Sequence, residues 1–241
     1  SRHLSDIPIR PDLRGKRIGI PEYQLTACVW IRGFLHHEYG VPSSEVKWLT
    51  GGQETPGRIE KIKLDLPSNI DIQPIGPDQT LNEMLEKGEI DAFIAPRIPS
   101  SYTKGSPNVR RLFPNFVEVE KEYYQKTGIF PIMHVVAIKD EILERHPWVA
   151  ANLYLAFEEA KKRVYDGFNQ TAALKVTLPW LTAEIENTKK LMGDDFWPYG
   201  LEPNRTTLEA LVNYSYEQGL IKKRLKLEDL FAKSTLEQYT I

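Results

Sequence analysis

Three side chains in this 241-residue chain have the type and place to do chemistry: Glu22, Arg97 and His134. Arg97 follows the apolar run Glu89-Ile-Asp-Ala-Phe-Ile-Ala-Pro, so it sits just past the end of a buried strand. Its guanidinium can pair a carboxylate through two parallel hydrogen bonds, or it can form a surface or inter-lobe salt bridge. His134 interrupts an apolar run between Met133 and Val135. An imidazole titrates near neutrality and suits proton transfer, although the commoner fate of a lone histidine is a hydrogen-bonded place in a core. Glu22 is the one acid in its turn. It could orient a phenol or His134, or serve as an ordinary first-turn acid favouring a helix dipole.

The turn around Glu22 also carries Tyr23, Gln24 and Thr26, whose hydroxyl and amide groups can hydrogen-bond a ligand or cap the helix that follows. Residues 12–26 read as a loop, a short buried strand at Arg17–Ile20, a tight turn and a helix start. That arrangement presents unpaired N–H groups and the positive helix end at the carboxyl edge of a sheet. The glycine spacing of a nucleotide loop is missing, so the expected anion is a small carboxylate. Trp48, Gly51 and Gly52 end a second strand at the same edge. Glycines there admit a ligand to the backbone and Trp48 can stack on an aryl ring, with a plain turn as the competing role. Trp197 and Tyr199, in the loop Phe196-Trp-Pro-Tyr-Gly200, either cover a cleft or pin the loop to the core. His36 and His37 are helix neighbours expected to face different directions. No His-x-x-x-His spacing occurs, so no metal site is expected. No G-x-S-x-G elbow is present either.

These residues are positioned by a strand–helix alternation. A helix over 24–39 has Ala27, Trp30, Ile31, Phe34 and Leu35 at core spacing and closes at Gly40. Strands follow at 45–50 and 70–75. Residues 80–83 form a capping box for a short helix ending at Gly88, and a strand precedes Arg97. The pattern predicts an α/β protein with a parallel sheet. A mostly apolar strand is expected within 126–139, with Pro131 near its start. Helices are expected at 147–166, ending at Gly167, at 182–192, from a second capping box at 206–209, and in part of 227–240. The α/β lobe is therefore set at 14–118. Residues 1–13 and 119–241 are read as the hinge strand and helical remainder of another lobe.

Composition is ordinary for a globular protein, 41% hydrophobic and 27% charged. A net charge of -2 with interspersed signs argues against nucleic acid, and the run Lys222-Lys-Arg-Leu-Lys226 reads as a solvated surface. The single cysteine, Cys28, excludes an internal disulfide and reads as a small buried hydrophobe. No apolar run reaches membrane-spanning length. Ser1-Arg-His-Leu-Ser-Asp6 lacks the apolar core of a signal peptide, and the early first strand suggests further residues upstream.

Several segments resemble one family. They are Gly19-Ile-Pro-Glu-Tyr-Gln-Leu-Thr-Ala27, Trp48-Leu-Thr-Gly-Gly52, Ala95-Pro-Arg97, Thr127-Gly-Ile-Phe-Pro-Ile-Met-His134, His146-Pro-Trp148 and the block from Met192 to Asn204. Together they resemble the 4,5-dihydroxyphthalate decarboxylase family, within the type II periplasmic-binding-protein-like superfamily. The resemblance implies a two-lobed fold whose first lobe begins in an N-terminal portion absent from this chain. It also implies loss of one carboxylate from 4,5-dihydroxyphthalate, giving 3,4-dihydroxybenzoate without a cofactor. That chemistry needs a clamp for the retained carboxylate, a proton donor at the ring carbon and a group to orient the phenol. Arg97, His134 and Glu22 are the residues expected to fill those roles. A receptor of an ABC-type transporter, binding a small aromatic carboxylate without turnover, would use the same cleft, and a non-catalytic module of the same fold is a third reading. The enzyme would be cytoplasmic and the receptor periplasmic. Exposed helices leave room for a homodimer.

Overall fold

Four parallel strands carry one of two units in the computed structural model, which describes residues 13–236. They are β1 (Arg17–Ile20), β2 (Lys47–Thr50), β3 (Asp71–Pro74) and β4 (Ala92–Phe93), in the order β3-β2-β1-β4. Ile18 pairs with Trp48 on one side and Ala92 on the other, which makes β1 central. Side chains alternate across a strand. Ile18 and Ile20 enter a core with Cys28, Leu35, Val46 and Trp48. Gly19 faces the other way, where an added Cβ would meet Ile90, Leu81 and Phe93. The sheet is thus covered on both faces, as parallel sheets are.

Helix α1 (Thr26–Tyr39) packs on the first face and ends at Gly40, whose φ of 67° only glycine adopts without strain. Its N–H reaches His36 O at 3.0 Å, and Val41 N reaches Leu35 O at 2.8 Å. Helix α2 (Leu81–Glu86) begins as expected, with Thr80 Oγ1 accepting from Glu83 N. The strand preceding Arg97 is shorter than expected. After β4 come α3 (Ser100–Thr103) and α4 (Phe116–Thr127), and Ala210–Arg224 returns to complete the unit. Cys28 is fully buried, and burial pushes its thiol up to about 11.

The second unit comprises Tyr123–Glu209 and the chain from Leu225 onward. It contains α5 (Asp140–Arg145), α6 (Val149–Phe168), α7 (Leu181–Met192) and the start of α8 (Arg205–Glu217). Here α6 packs against α5, α7 and a 3₁₀ turn at Lys233–Thr235. Three expectations are corrected. Residues 129–139 form no strand: among the described residues this unit has no strand to pair with, and Val135 and Val136 lie exposed. Helix α6 runs through Gly167 instead of ending there. Thr206 lies inside α8, which a 3₁₀ turn at Glu202–Asn204 leads into, so there is no second capping box. The expected helical part of 227–240 appears as 3₁₀ turns at Leu227–Asp229 and Lys233–Thr235, and its last residues, like residues 1–12 of the expected hinge segment, lie outside the described ones. Among the described residues no helix is long and apolar enough to cross a membrane.

Candidate functional site

The carboxyl ends of β1, β2 and β4 bring three loops together. After β1 the chain turns through residues 21–25 into α1. Leu25 occupies the cap position with extended backbone and contributes no side-chain hydrogen bond, and no acid lies in the first helical turn. The leading N–H groups of a 14-residue helix are therefore uncapped by side chains, which favours an anion there. Thr26 is the first helical residue and is half-buried, not a cap.

Glu22 is buried, and its Oε1 accepts from Arg58 Nε at 2.9 Å and Nη2 at 2.5 Å. Glu60, two residues further on, accepts from the Tyr23 N–H and the Gln24 side chain. Burial raises the Glu60 carboxyl above its ordinary range. The Tyr23 N–H opposes that shift, and nearby Glu22 adds to it. The second Glu60 oxygen, Oε2, is buried without a hydrogen bond.

The loop after β2 is stitched to the one after β4. Gln53 Nε2 donates to Arg97 O at 3.2 Å, and Glu54 accepts from Ser100 N at 2.9 Å and Ser100 Oγ at 2.8 Å. Burial acts to raise the Glu54 carboxyl, but the Ser100 bonds hold it below its usual range. Asn82 Oδ1 receives Ser101 N and Oγ beneath them. An added Cβ at Gly52 would lie 1.7 Å from Thr55 O and one at Gly51 2.4 Å from Ile75, so the loop's own packing requires both glycines. The Arg97 side chain is exposed at this edge and makes no ion pair or hydrogen bond with a described residue.

Two expected ligand contacts are core side chains instead. Tyr23 is fully buried, its hydroxyl donating to Gln218 O at 3.3 Å and its ring edge-on to Trp48. Trp48 is 1% exposed and donates from Nε1 to Ser43 O at 2.8 Å. Both rings pack around Arg32, whose guanidinium lies 3.8 Å from the Tyr23 centroid. Arg32 is 1% exposed, and burial pushes it below its ordinary pKa. Its Nε donates to Gln218 Oε1 at 2.8 Å and Nη2 to Tyr23 O at 2.5 Å.

His134, Trp197 and Tyr199 belong to the other unit. His134 is exposed in the irregular 129–139 segment, so it is not a core histidine. Trp197 is 53% exposed and meets Phe130 edge-on at 5.6 Å. Tyr199 contacts Phe157 and lies beneath Lys161 Nζ at 5.0 Å; that ammonium is held by Asp195 and Glu158.

His36 and His37 do not diverge as expected. Their rings lie 4.7 Å apart, and both nitrogens face Glu217 Oε2, His37 Nε2 at 2.7 Å and His36 Nδ1 at 3.8 Å.

The edge in the first unit thus offers a helix start, an exposed guanidinium and the acids Glu22, Glu54 and Glu60: a place for one anionic group beside a carboxyl whose pKa is raised by burial. Sequence reading missed Arg58, Glu60 and Glu54. The alternation of opposite charges in Arg58-Ile-Glu60, next to a glycine-rich strand end, was the available signal.

No family model matches the chain. It is 41% identical over 230 residues to a 4,5-dihydroxyphthalate decarboxylase of Comamonas testosteroni, a match covering 95% of this chain and 70% of that protein. A second relative, the 4,5-dihydroxyphthalate decarboxylase of Pseudomonas putida, is 46% identical over 114 residues, 47% of the chain and 44% of the relative. With the first match running along nearly its whole described length, the chain belongs to the 4,5-dihydroxyphthalate decarboxylase family.

Proposed function

We propose that this chain decarboxylates an aromatic dicarboxylate, 4,5-dihydroxyphthalate, to 3,4-dihydroxybenzoate. The observation that carries the reading is the 41% identity to the Comamonas testosteroni enzyme across 95% of the chain. Direct loss of carbon dioxide would leave an aryl anion. The accessible route adds a proton to the ring carbon bearing the carboxylate, helped by electron density from the para hydroxyl. The C–C bond then breaks, its electron pair restores the ring, and the phenol regains its proton. On balance one proton is taken up and one carbon dioxide leaves.

In this reading Arg97 clamps the retained carboxylate, and its exposed guanidinium at the sheet edge, unpaired among the described residues, supports that role. His134 supplies the proton and Glu22 orients the phenol through its buried position beside Arg58. Gln24, Thr26, Gly51 and Gly52 border the substrate, with Trp197 and Tyr199 as aromatic cover. The architecture proposed with it is the two-lobed periplasmic-binding-protein-like fold, residues 14–118 forming the second lobe and the remainder belonging to the first. The enzyme would act in the cytoplasm, with a homodimer as its assembly.

The test mixes protein and 4,5-dihydroxyphthalate and follows carbon dioxide release with the ultraviolet spectrum. Release at enzyme-like rates, abolished with binding in Arg97→Ala and abolished without loss of binding in His134→Ala, is the expected result. Normal turnover in His134→Ala removes it from the acid role. A thermal shift with no release would make the chain a receptor.

A further inference from the structure

We propose that His36, His37 and Glu217 form a binding site for a divalent transition-metal ion such as Zn2+, independent of the decarboxylation reading. The two histidines close the last turn of α1, and Glu217 closes α8, all within one unit. One donor atom from each lies within 4.8 Å of the other two. Glu217 Oε2 is 2.7 Å from His37 Nε2 and 3.8 Å from His36 Nδ1. Ligands about 2.0–2.1 Å from a tetrahedral Zn2+ stand about 3.3 Å apart, so the two Glu217 pairs need to move by about half an ångström, and the two histidine nitrogens, within 4.8 Å of each other, close by a rotamer adjustment.

The surroundings are those of a positioned ligand set. Asn213 Nδ2 donates to Glu217 Oε1 at 2.7 Å, which fixes the carboxylate and leaves Oε2 aimed at the imidazoles. The His37 ring stacks on Tyr214 at 5.0 Å and 26°, which fixes its plane. His36 and Glu217, though not His37, line a cavity of about 320 Å³ that also touches Arg32 and Ser43. Two imidazoles and a carboxylate with an open position suit Zn2+ or its first-row neighbours better than Mg2+ or Ca2+, which prefer oxygen. Because the ligands come from α1 and α8, the ion would tie together elements far apart in sequence.

The test titrates the full, metal-stripped chain with Co2+, read by its d–d absorption, and then displaces it with Zn2+. The expected result is one equivalent bound, with affinity at least tenfold weaker in His37→Ala and Glu217→Gln. Asn213→Ala, which keeps all three ligands, should weaken binding by about 10- to 100-fold. No d–d band in the unmodified chain overturns the proposal, as does unchanged affinity in both folded ligand variants, their folding checked by far-ultraviolet circular dichroism.

Discussion

Gln218→Ala should destabilise the first unit by about 3–4 kcal/mol. Gln218 is 4% exposed and makes two buried side-chain hydrogen bonds, accepting from Arg32 Nε at 2.8 Å and donating to Val29 O at 2.9 Å. A hydrogen bond to a charged group contributes about 1.5–3 kcal/mol, and a neutral one about 1 kcal/mol. The loss reaches the upper part of that range because Arg32 Nη1 has no hydrogen bond to a described residue, leaving the Tyr23 carbonyl as the cation's remaining hydrogen-bond acceptor beside the Tyr23 and Trp48 rings. Urea unfolding followed by tryptophan emission should show the midpoint falling by about 1–2 M with the slope unchanged. The double variant Arg32→Met with Gln218→Ala removes the ion together with its partner and should recover at least half of the loss. A loss below about 1 kcal/mol, or no recovery in the double variant, would refute the view that the Arg32 charge is what Gln218 satisfies.

Gly33→Ala places a Cβ 2.1 Å from the Tyr214 ring, and overpacking of that kind costs about 1–3 kcal/mol, more than the roughly 1 kcal/mol that alanine adds to a helix. Calorimetry should show a lowered melting temperature, and Gly33→Ala combined with Tyr214→Leu should be less destabilised than Gly33→Ala alone. Glu60→Gln should change how stability responds to pH. The folded Glu60 carboxyl is raised above its unfolded value, so the folded state holds its proton longer, and stability falls as pH rises from about 4.3 through the raised value. Urea midpoints of Glu60→Gln should therefore exceed those of the parent chain at neutral pH and converge with them near pH 4.

Local signals placed β1, α1 with its Gly40 end, β2, β3 and the Thr80 cap close to where they stand, because each depends on residues within a turn or two. What escaped depends on distant partners. The apolar run 129–138 has the composition of a buried strand, but a strand needs a neighbour to bond with, and Phe130 and Val135 remain exposed without one. Helix α4 was overlooked because Val117-Glu-Val-Glu120 alternates at a strand's period. At the site, the edge location of Glu22, Gly51 and Arg97 was readable, but which way Tyr23 and Trp48 turn was not. Their inward packing follows from Arg32, a cation that looks like a solvated helix residue until Gln218 arrives, 186 positions later. The convergence of His36 and His37 has the same origin, since Glu217 sets it.

That return of Ala210–Arg224 to the first unit has a consequence for synthesis on the ribosome. The sheet and α1 emerge before it, at about 5–20 residues per second, and Arg32 emerges with them. Its partner Gln218 is made 186 residues later. Until then Arg32 lacks Gln218, and Val29, Trp30 and Gly33 lack the contacts that Gln218 and Tyr214 make with them. Docking of Gln218 and Tyr214 then acts as a latch, so a chain terminated before them would have the strands without it. Such chains are natural targets for chaperones and proteases.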